Sequence, residues 1–347
     1  MQRNERHWRG ISGSADANAR LSPAAVIALG VAALFAGLIG LAPSVAHAAG
    51  GVNGCEATLT GTFLQPSYSV FAWSATRYQQ ELGDMRAVGI RTVIDQWTVD
   101  MDANQAYYPD PATWYPEYTD MVGPLLSAAR SNQMGVWLGL GNVYAWQAHA
   151  GDFQFLSNQL YVDERTADQL WALYPGQIAG WYVSNEVDDS LMANPSLVAP
   201  MTWFFSSLAA YLHTHDGGLK VMTSPTYSGL HESTAAFASS ARAVMGTMDV
   251  LNVQDGGGSG YIHAANITDW FSALSAALYG TGTALWQDAD MYGSGAPMAP
   301  ATLQGDLKAT CGYAAARSGF SFSTQMGPRD IGTTYYYNAY RTYVSTT

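Results

Sequence analysis

Residues 78–97 read YQQELGDMRAVGIRTVIDQW, a stretch in which a helical pattern passes directly into a strand pattern. Leu82, Met85 and Val88 recur at helical spacing and define one apolar side of the first half. The second half, Arg91–Trp97, contains consecutive apolar residues, which is typical of a strand buried on both faces. A helix followed by such a strand is the repeating unit of an α/β protein with a parallel sheet.

The strand pattern recurs eight times, with starts 30 to 44 residues apart. The predicted strands are Leu59–Gln65, Arg91–Trp97, Met134–Leu140, Ile178–Ser184, Leu219–Ser224, Asp249–Gln254, Thr283–Asp288 and Gly319–Ser323. The helical patterns between them cover Tyr78–Val88, Met121–Arg130, Asp168–Tyr174, Trp203–Leu212, Trp270–Tyr279 and Leu303–Ala316. Eight such units predict a single (β/α)8 TIM barrel over residues 49–347, with a doubly wound open sheet as the alternative. No glycine-rich nucleotide motif follows the first strand, so we expect no nucleotide cofactor.

The first 48 residues have the pattern of a bacterial export signal. Four arginines precede an uncharged apolar run, Ala24–Ala42, and Ala46-His47-Ala48 follows it as a cleavage site. The apolar run is longer than usual, so an uncleaved membrane anchor is the competing interpretation. We predict a signal peptide over residues 1–48, a secreted or periplasmic product, and no membrane contact after cleavage.

Composition excludes several partners. The chain has a net charge of −12, and its first 48 residues carry +2, so the remainder carries −14. A surface this acidic repels phosphate backbones and anionic lipids, which excludes nucleic-acid binding. Charged residues make up only 12% of the chain, whereas there are 11 Trp and 21 Tyr. This balance favours neutral, hydroxyl-rich ligands, and we expect a monomer.

The two cysteines, Cys55 and Cys311, are disulfide candidates because export permits oxidation. They lie before the first predicted strand and before the last one. If these two strands are neighbours, a disulfide would link them covalently where the barrel closes. Two buried thiols are the alternative. Two cysteines without histidine partners do not make a zinc site, and we expect no metal.

In a (β/α)8 barrel, the chemistry is carried by groups at the carboxyl ends of the strands. Here those positions hold carboxylates, amides and aromatic rings and no lysine or arginine. They are Gln65, Asp95, Trp97, Asn142, Tyr144, Trp146, Asn185, Glu186, Tyr227, Gln254, Asp255, Trp286, Asp288 and Asp290. Phosphoryl transfer needs cations, and a serine hydrolase needs a histidine base. Paired carboxylates beside aromatic platforms instead fit cleavage of glycosidic bonds, in which one carboxyl protonates the leaving oxygen and the other attacks or activates water.

Glu186 is the only glutamate after residue 48 that ends a predicted strand. It follows Asn185 at the end of the fourth strand, in the stretch GWYVSNE at 180–186. This arrangement resembles the clan A glycoside hydrolases, whose acid/base is a glutamate after asparagine at that place. The chain more closely resembles a bacterial family of (β/α)8 barrels with a domain-of-unknown-function name, regarded as glycoside hydrolases. The matching stretches are GTFLQ at 61–65, MRAVGIRTVIDQW at 85–97, DVLNVQDG at 249–256 and LWQDAD at 285–290.

The resemblance implies that Glu186 is the proton donor and that Asn185 bonds a sugar hydroxyl beside the cleaved centre. The clan's nucleophile is a glutamate at the end of strand seven, where this chain has Asp290. Aspartate is one methylene shorter, so retention and inversion both stay open, with retention favoured by the clan. Asp255 and Asp288 are alternative partners of Glu186.

We therefore predict a secreted glycoside hydrolase that cleaves an extracellular polysaccharide or oligosaccharide without a cofactor. The substrate-binding candidates are Asn185, Gln65, Asp95, Trp97, Asn142, Tyr144, Trp146, Tyr227, Gln254 and Trp286. Two alternatives stay open: a catalytically impaired carbohydrate-binding barrel, suggested by Asp290, and a transglycosylase with the same carboxylates.

Overall fold

The computed structural model describes residues 55–109, 114–258, 264–293, 296–329 and 334–347. The predicted export signal lies outside these residues. Among the described residues, no helix combines the length and the apolar character needed to cross a membrane.

Eight parallel strands form one sheet, and their order in the sheet is their order in the chain. Each pairs in parallel with the next, so their carboxyl ends meet at one end of a nearly closed barrel. The strands are β1 Gly61–Leu64, β2 Thr92–Asp95, β3 Gly135–Gly139, β4 Gly180–Val183, β5 Lys220–Thr223, β6 Val250–Gln254, β7 Ala284–Asp290 and β8 Ala316–Phe320.

Each strand is followed by a helix of ten residues or more. The helices are α1 Ala75–Ala87, α2 Val122–Ser131, α3 Phe153–Leu173, α4 Pro195–His215, α5 Thr234–Met245, α6 Ala264–Leu278, α7 Pro300–Ala309 and α8 Tyr335–Thr346. Four begin at a side-chain N-cap, supplied by Ser74, Asp152, Asn194 and Ser233. These caps satisfy backbone N–H groups that have no partner within the helix.

Two separate apolar layers hold the fold together. The larger lies between the sheet and the helices, and the smaller fills the inside of the barrel. The inner layer consists of Phe63, Ile94, Trp137, Tyr182, Met222 and Val250. Because side chains alternate across a strand, this layer shows which residues of each strand face inward. In β7, the inward set continues from Trp286 to Asp288 and Asp290. Glu186 lies three residues beyond the end of β4, and its carboxyl group contacts inward-facing Tyr182.

The seam between β1 and β8 is closed by contacts flanking the two strands. The N–H of Thr60 donates to the carbonyl of Arg317 at 2.7 Å, and the hydroxyl of Thr62 donates to the carbonyl of Gly319 at 2.9 Å. A disulfide joins Cys55 to Cys311 across the same seam. The guanidinium of Arg317 lies beside both sulfur atoms, 3.3 Å from Cys55 Sγ and 3.7 Å from Cys311 Sγ.

The last strand, β8, and the helix before it, α7, differ from their predicted positions. The strand covers Ala316–Phe320 instead of Gly319–Ser323, and the preceding helix ends at Ala309, well before the predicted Ala316. The reason is Arg317, a charged residue in the second position of a buried strand. Its guanidinium is buried but satisfied, because its Nε donates to the carbonyl of Leu307 and the hydroxyl of Thr310, both at 3.1 Å.

Candidate active site

Glu186 lies at the mouth of the barrel and is held by three neutral donors. The hydroxyl of Tyr182 donates to Glu186 Oε1 at 2.9 Å, and the amide of Gln96 approaches the same oxygen at 3.4 Å. The amide of Gln254 donates to Oε2 at 3.0 Å. The donors come from β4 and from the ends of β2 and β6, so the closed sheet brings three strands to one carboxyl group.

Burial raises the pKa of Glu186 above its usual range, and the negative charge of Asp290 raises it further. The hydrogen bonds from Tyr182, Gln254 and Gln96 favour the ionised form and oppose this rise. The net direction is upward, as a general acid working near neutral pH requires. Asp188 and Asp189, which follow Glu186 closely in the sequence, are engaged elsewhere. Asp188 caps the short helix Asp189–Met192, and Asp189 accepts from Ser228.

Asp290 ends β7 and is almost fully buried, with 5% of its surface exposed. The backbone N–H of Gly258, in the loop after β6, donates to Asp290 Oδ2 at 2.9 Å. Residue 258 must be glycine, since a Cβ there would collide with the carbonyl of Tyr292 and crowd the Cβ of Asp290. The loop can therefore bring a backbone donor against the carboxyl group.

Asp255 holds this arrangement in place. Its Oδ1 accepts from the backbone N–H of Gly257 at 3.1 Å and of Asp290 at 3.2 Å. Its Oδ2 accepts from the amide of Gln287 at 2.9 Å. Burial, followed by the charges of Asp290 and Asp306, raises the pKa of Asp255 to about 8. With all three contacts going to protein groups, Asp255 fits the role of a positioning residue better than that of the reacting partner.

Asp288 lies deeper in the barrel than Asp290. It faces inward between β6 and β8, where the hydroxyls of Ser224 and Ser318 approach its two oxygens at 3.4 and 3.2 Å. Burial raises the pKa of Asp288 well above its usual range, and the charges of Asp290, Glu186 and Asp255 add to the rise. Its two contacts with serine hydroxyls at this depth suit Asp288 to orient its neighbours.

Other candidates line the same mouth. Gln254 contacts Glu186 directly, and Gln65 follows inward-facing Phe63 by two residues and is partly exposed. Trp286 lies in the inner layer in edge contact with Trp137, with 5.8 Å between ring centroids. Asn185 is 2% exposed, and its Oδ1 accepts no hydrogen bond from any part of the chain that the structure describes. This oxygen is enclosed by protein atoms, so a ligand hydroxyl can reach it only after a neighbouring side chain moves.

Two candidates lie at the rim. Asn142 belongs to the short strand Gly141–Asn142, which pairs with Val99–Asp100. Tyr144 is 91% exposed, and its backbone N–H donates to Asp102 at 2.7 Å. Its ring faces solvent at the end of the barrel where the carboxylates lie.

The structure places four further candidates on the helix side of the sheet. Asp95 is fully buried next to inward-facing Ile94 and so faces the helices, and Trp97 and Trp146 pack into the outer apolar layer. Tyr227 packs between Phe237 and Trp270, with ring centroids 4.6 and 5.5 Å away. The structure does not place these four side chains, one carboxyl group and three aromatic rings, beside Glu186.

Sequence reasoning missed two contacts of Glu186, Gln96 and Tyr182. Both share the inward alternation of their strands, but β2 is almost entirely buried, so hydropathy does not show which face is which. Gly139 marks the close packing around Gln96, because a Cβ at position 139 would collide with the backbone of Gln96.

No cluster of three or more His, Cys, Asp or Glu side chains among the described residues is arranged to hold a metal ion.

Comparisons with known proteins agree with this architecture. Residues 59–331 match the model of a family described as "Domain of unknown function (DUF4434)", which confirms the resemblance found in the sequence. No curated protein sequence matches the chain.

Among solved structures, a "putative alpha-L-fucosidase" from Bacteroides thetaiotaomicron is 20% identical, covers 84% of this chain and 94% of its own, and has a TM-score of 0.70. The endo-1,4-beta-mannanase of Rhizomucor miehei is 13% identical, with 84% and 95% covered and a TM-score of 0.52. An intracellular xylanase of Thermoanaerobacterium saccharolyticum is 12% identical, with 77% and 86% covered and a TM-score of 0.50. At these identities the similarity concerns the fold.

Proposed function

The chain belongs to the DUF4434 family, and from this premise and the geometry of the barrel mouth we propose that it is an exported glycoside hydrolase. Its substrate is an extracellular polysaccharide or oligosaccharide. The observation that carries the proposal is the setting of Glu186, a carboxyl group with a raised pKa, held by neutral donors and sharing its electrostatic environment with Asp290. Fold similarity to glycoside hydrolases supports the proposal by analogy only.

In the proposed reaction, Glu186 begins protonated and gives its proton to the glycosidic oxygen as the bond to the anomeric carbon breaks. Asp290 attacks that carbon and forms a glycosyl ester. Water then hydrolyses the ester, with ionised Glu186 accepting its proton. This double displacement retains the anomeric configuration. If Asp290 instead activates water directly, the configuration inverts in a single step.

The electrostatics suit this division of roles. The ionised form of Asp290 is stabilised by the N–H of Gly258. The charge of Asp290 in turn favours the protonated form of Glu186. After the proton has been transferred, the hydroxyl of Tyr182 and the amide of Gln254 stabilise the Glu186 carboxylate.

The test is a screen of the purified protein on defined neutral polysaccharides and on aryl glycosides, measuring new reducing ends and released phenol. NMR of the first-formed product distinguishes retention from inversion. Glu186→Gln should lower the activity on polysaccharides by about 10²–10⁴-fold, whereas Glu164→Gln, on helix α3 and far from the barrel mouth, should leave it intact.

Each alternative gives its own result. Binding of a polysaccharide with no new reducing ends identifies a carbohydrate-binding barrel. Glycosyl transfer that dominates at high acceptor concentration identifies a transglycosylase. Cleavage of a polysaccharide by the Glu186→Gln variant at the rate of the native protein contradicts the proposed mechanism.

A further inference from the structure

Three aromatic side chains form an exposed ridge beside the barrel mouth. Tyr68 is 84% exposed and Tyr118 is 46% exposed. Phe71 lies in contact with both, with ring centroids 6.4 Å from Tyr68 and 5.4 Å from Tyr118. Beneath them, Tyr107 is buried, with its ring centroid 4.7 Å from that of Phe71. Tyr68, Phe71 and Tyr118 are called the outer ridge below.

The outer ridge is built on the loops that follow β1 and β2. The backbone N–H of Gln96 donates to the carbonyl of Leu64 at the end of β1, and its side chain reaches Glu186. Tyr68 is four residues beyond Leu64, so their Cα atoms are at most about 14 Å apart. The ridge therefore flanks the candidate active site on its β1–β2 side.

The backbone that carries the rings is held before any ligand arrives. Phe71 ends a short helix, Tyr68–Phe71, whose first residues are capped by Ser67. The carbonyl of Val70 in that helix accepts from the hydroxyl of Tyr78 on α1 at 3.4 Å. The backbone of Tyr118 is fixed by a hydrogen bond of its N–H to the carbonyl of Ala106 at 2.9 Å. Because this backbone is already fixed, binding costs only the conformational entropy of the side chains and not that of the loops.

The chemistry of the outer ridge favours a neutral sugar chain. Exposed tyrosine rings combine an apolar face with a hydroxyl, which suits stacking on sugar C–H groups. The surrounding loops contribute Asp100, Asp102, Glu117 and Asp120. Arg77, the arginine closest to this loop in the sequence, is engaged by Trp73, 4.8 Å from its ring centroid, and by Glu81 at 3.0 Å. An anionic polysaccharide would meet like charge here.

We propose that the outer ridge is a subsite for a neutral polysaccharide, whose chain extends from the cleaved bond across the β1–β2 rim. This inference rests on the proposed function and adds the class of substrate. It requires a ligand longer than the barrel mouth can enclose. A protein that trims single sugars or short oligosaccharides would not use these rings.

The experiment is affinity electrophoresis in gels containing hydroxyethylcellulose, galactomannan, arabinoxylan or polygalacturonate. The native protein should be retarded by at least one of the three neutral polymers, and a Tyr68→Ala/Tyr118→Ala double variant should bind that polymer about tenfold more weakly. Tyr279→Ala is the matched control, because Tyr279 is 75% exposed and follows α6 at the opposite end of the barrel. Thermal unfolding of both variants verifies that they fold.

Kinetics provide a second readout. The ratio of kcat/KM on the polymer to that on an aryl glycoside should fall about tenfold in the double variant and stay constant in Tyr279→Ala. Unchanged binding in the double variant, retardation by polygalacturonate alone, or no retardation at all would overturn the proposal.

The test separates this inference from the proposed function. Binding that depends on Tyr68 and Tyr118 in a protein that cleaves nothing would support the outer ridge and reject catalysis. Cleavage of a polymer with equal efficiency by the native protein and the double variant would do the reverse.

Discussion

Glu186 and Asp290 face the same barrel mouth from settings of opposite character. The donors around Glu186 are neutral side chains from three strands. Asp290 instead shares its surroundings with other acids, chiefly Asp255, and receives a backbone N–H from a glycine loop. Under the proposed function, this difference would give the two carboxyl groups separate tasks: side-chain donors and burial would tune an acid, and a backbone donor among buried acids would orient a carboxylate.

The largest expected effect separates the two roles. Glu186→Gln and Asp290→Asn should each lower kcat/KM on a natural glycoside by about 10²–10⁴-fold. A dinitrophenyl leaving group needs no proton. On such a glycoside, double displacement predicts a burst of phenol in Glu186→Gln, because the glycosyl ester forms quickly and is hydrolysed slowly. Asp290→Asn cannot form the ester and should give no burst. Stopped-flow measurement of phenol release checks this. A burst in Asp290→Asn would reverse the assigned roles.

Asp255→Asn should lower kcat about tenfold with little change in KM. The carboxyl group accepts the N–H groups of both Gly257 and Asp290, so its loss lets the Asp290 carboxylate move. Steady-state kinetics on the preferred polymer measure the effect. A loss as large as that of Asp290→Asn would instead make Asp255 the reacting partner.

The same variant should change how stability depends on pH. The pKa of Asp255 in the folded state, about 8, is above its value in the unfolded state. The contribution of this group to the free energy of unfolding is therefore fully present below about pH 4 and is lost as the pH rises towards 8. Relative to that of the native protein, the free energy of unfolding of Asp255→Asn should therefore rise by at least about 1 kcal/mol between pH 5 and pH 8. Urea unfolding at both pH values tests this, with Asp269→Asn as an exposed control. A constant difference between native protein and variant would contradict the shifted pKa.

Gln254→Leu should move the alkaline limb of the pH–kcat/KM profile upwards. The amide of Gln254 favours ionised Glu186, so its removal raises the pKa of the acid and keeps it protonated to higher pH. A shift of roughly half a unit to one unit is expected. The outcome that would contradict it is a limb that stays in place or moves downwards.

Tyr182→Phe should move the same limb in the same direction by a similar amount, roughly half a unit to one unit, because the Tyr182 hydroxyl favours ionised Glu186 at least as strongly as the Gln254 amide does. It removes a hydroxyl donor, but the ring still fills the inner layer. Comparing its profile with that of Gln254→Leu shows whether the donors act independently. A downward shift would show that the hydroxyl stabilises the protonated acid instead.

Much of the fold could be predicted from the sequence. Strands buried on both faces appear as apolar runs, and the helices between them show apolar residues at helical spacing. Seven strands lie where the patterns predicted them, within a few residues at either end. The eighth was displaced because Arg317 breaks the apolar pattern, and only tertiary contacts with Leu307 and Thr310 make its burial acceptable.

The sequence by itself determined the inventory: a repeating strand and helix unit, a carboxylate-rich set of strand ends, and one glutamate among them. The tertiary structure decided which of these side chains meet. In a strand buried on both faces, hydropathy cannot tell inward from outward residues, so Gln96 and not Asp95 reaches Glu186. The order of Asp290, Asp255 and Asp288 around the mouth also depends on strand register and on one glycine loop, and both exist only after the sheet has closed.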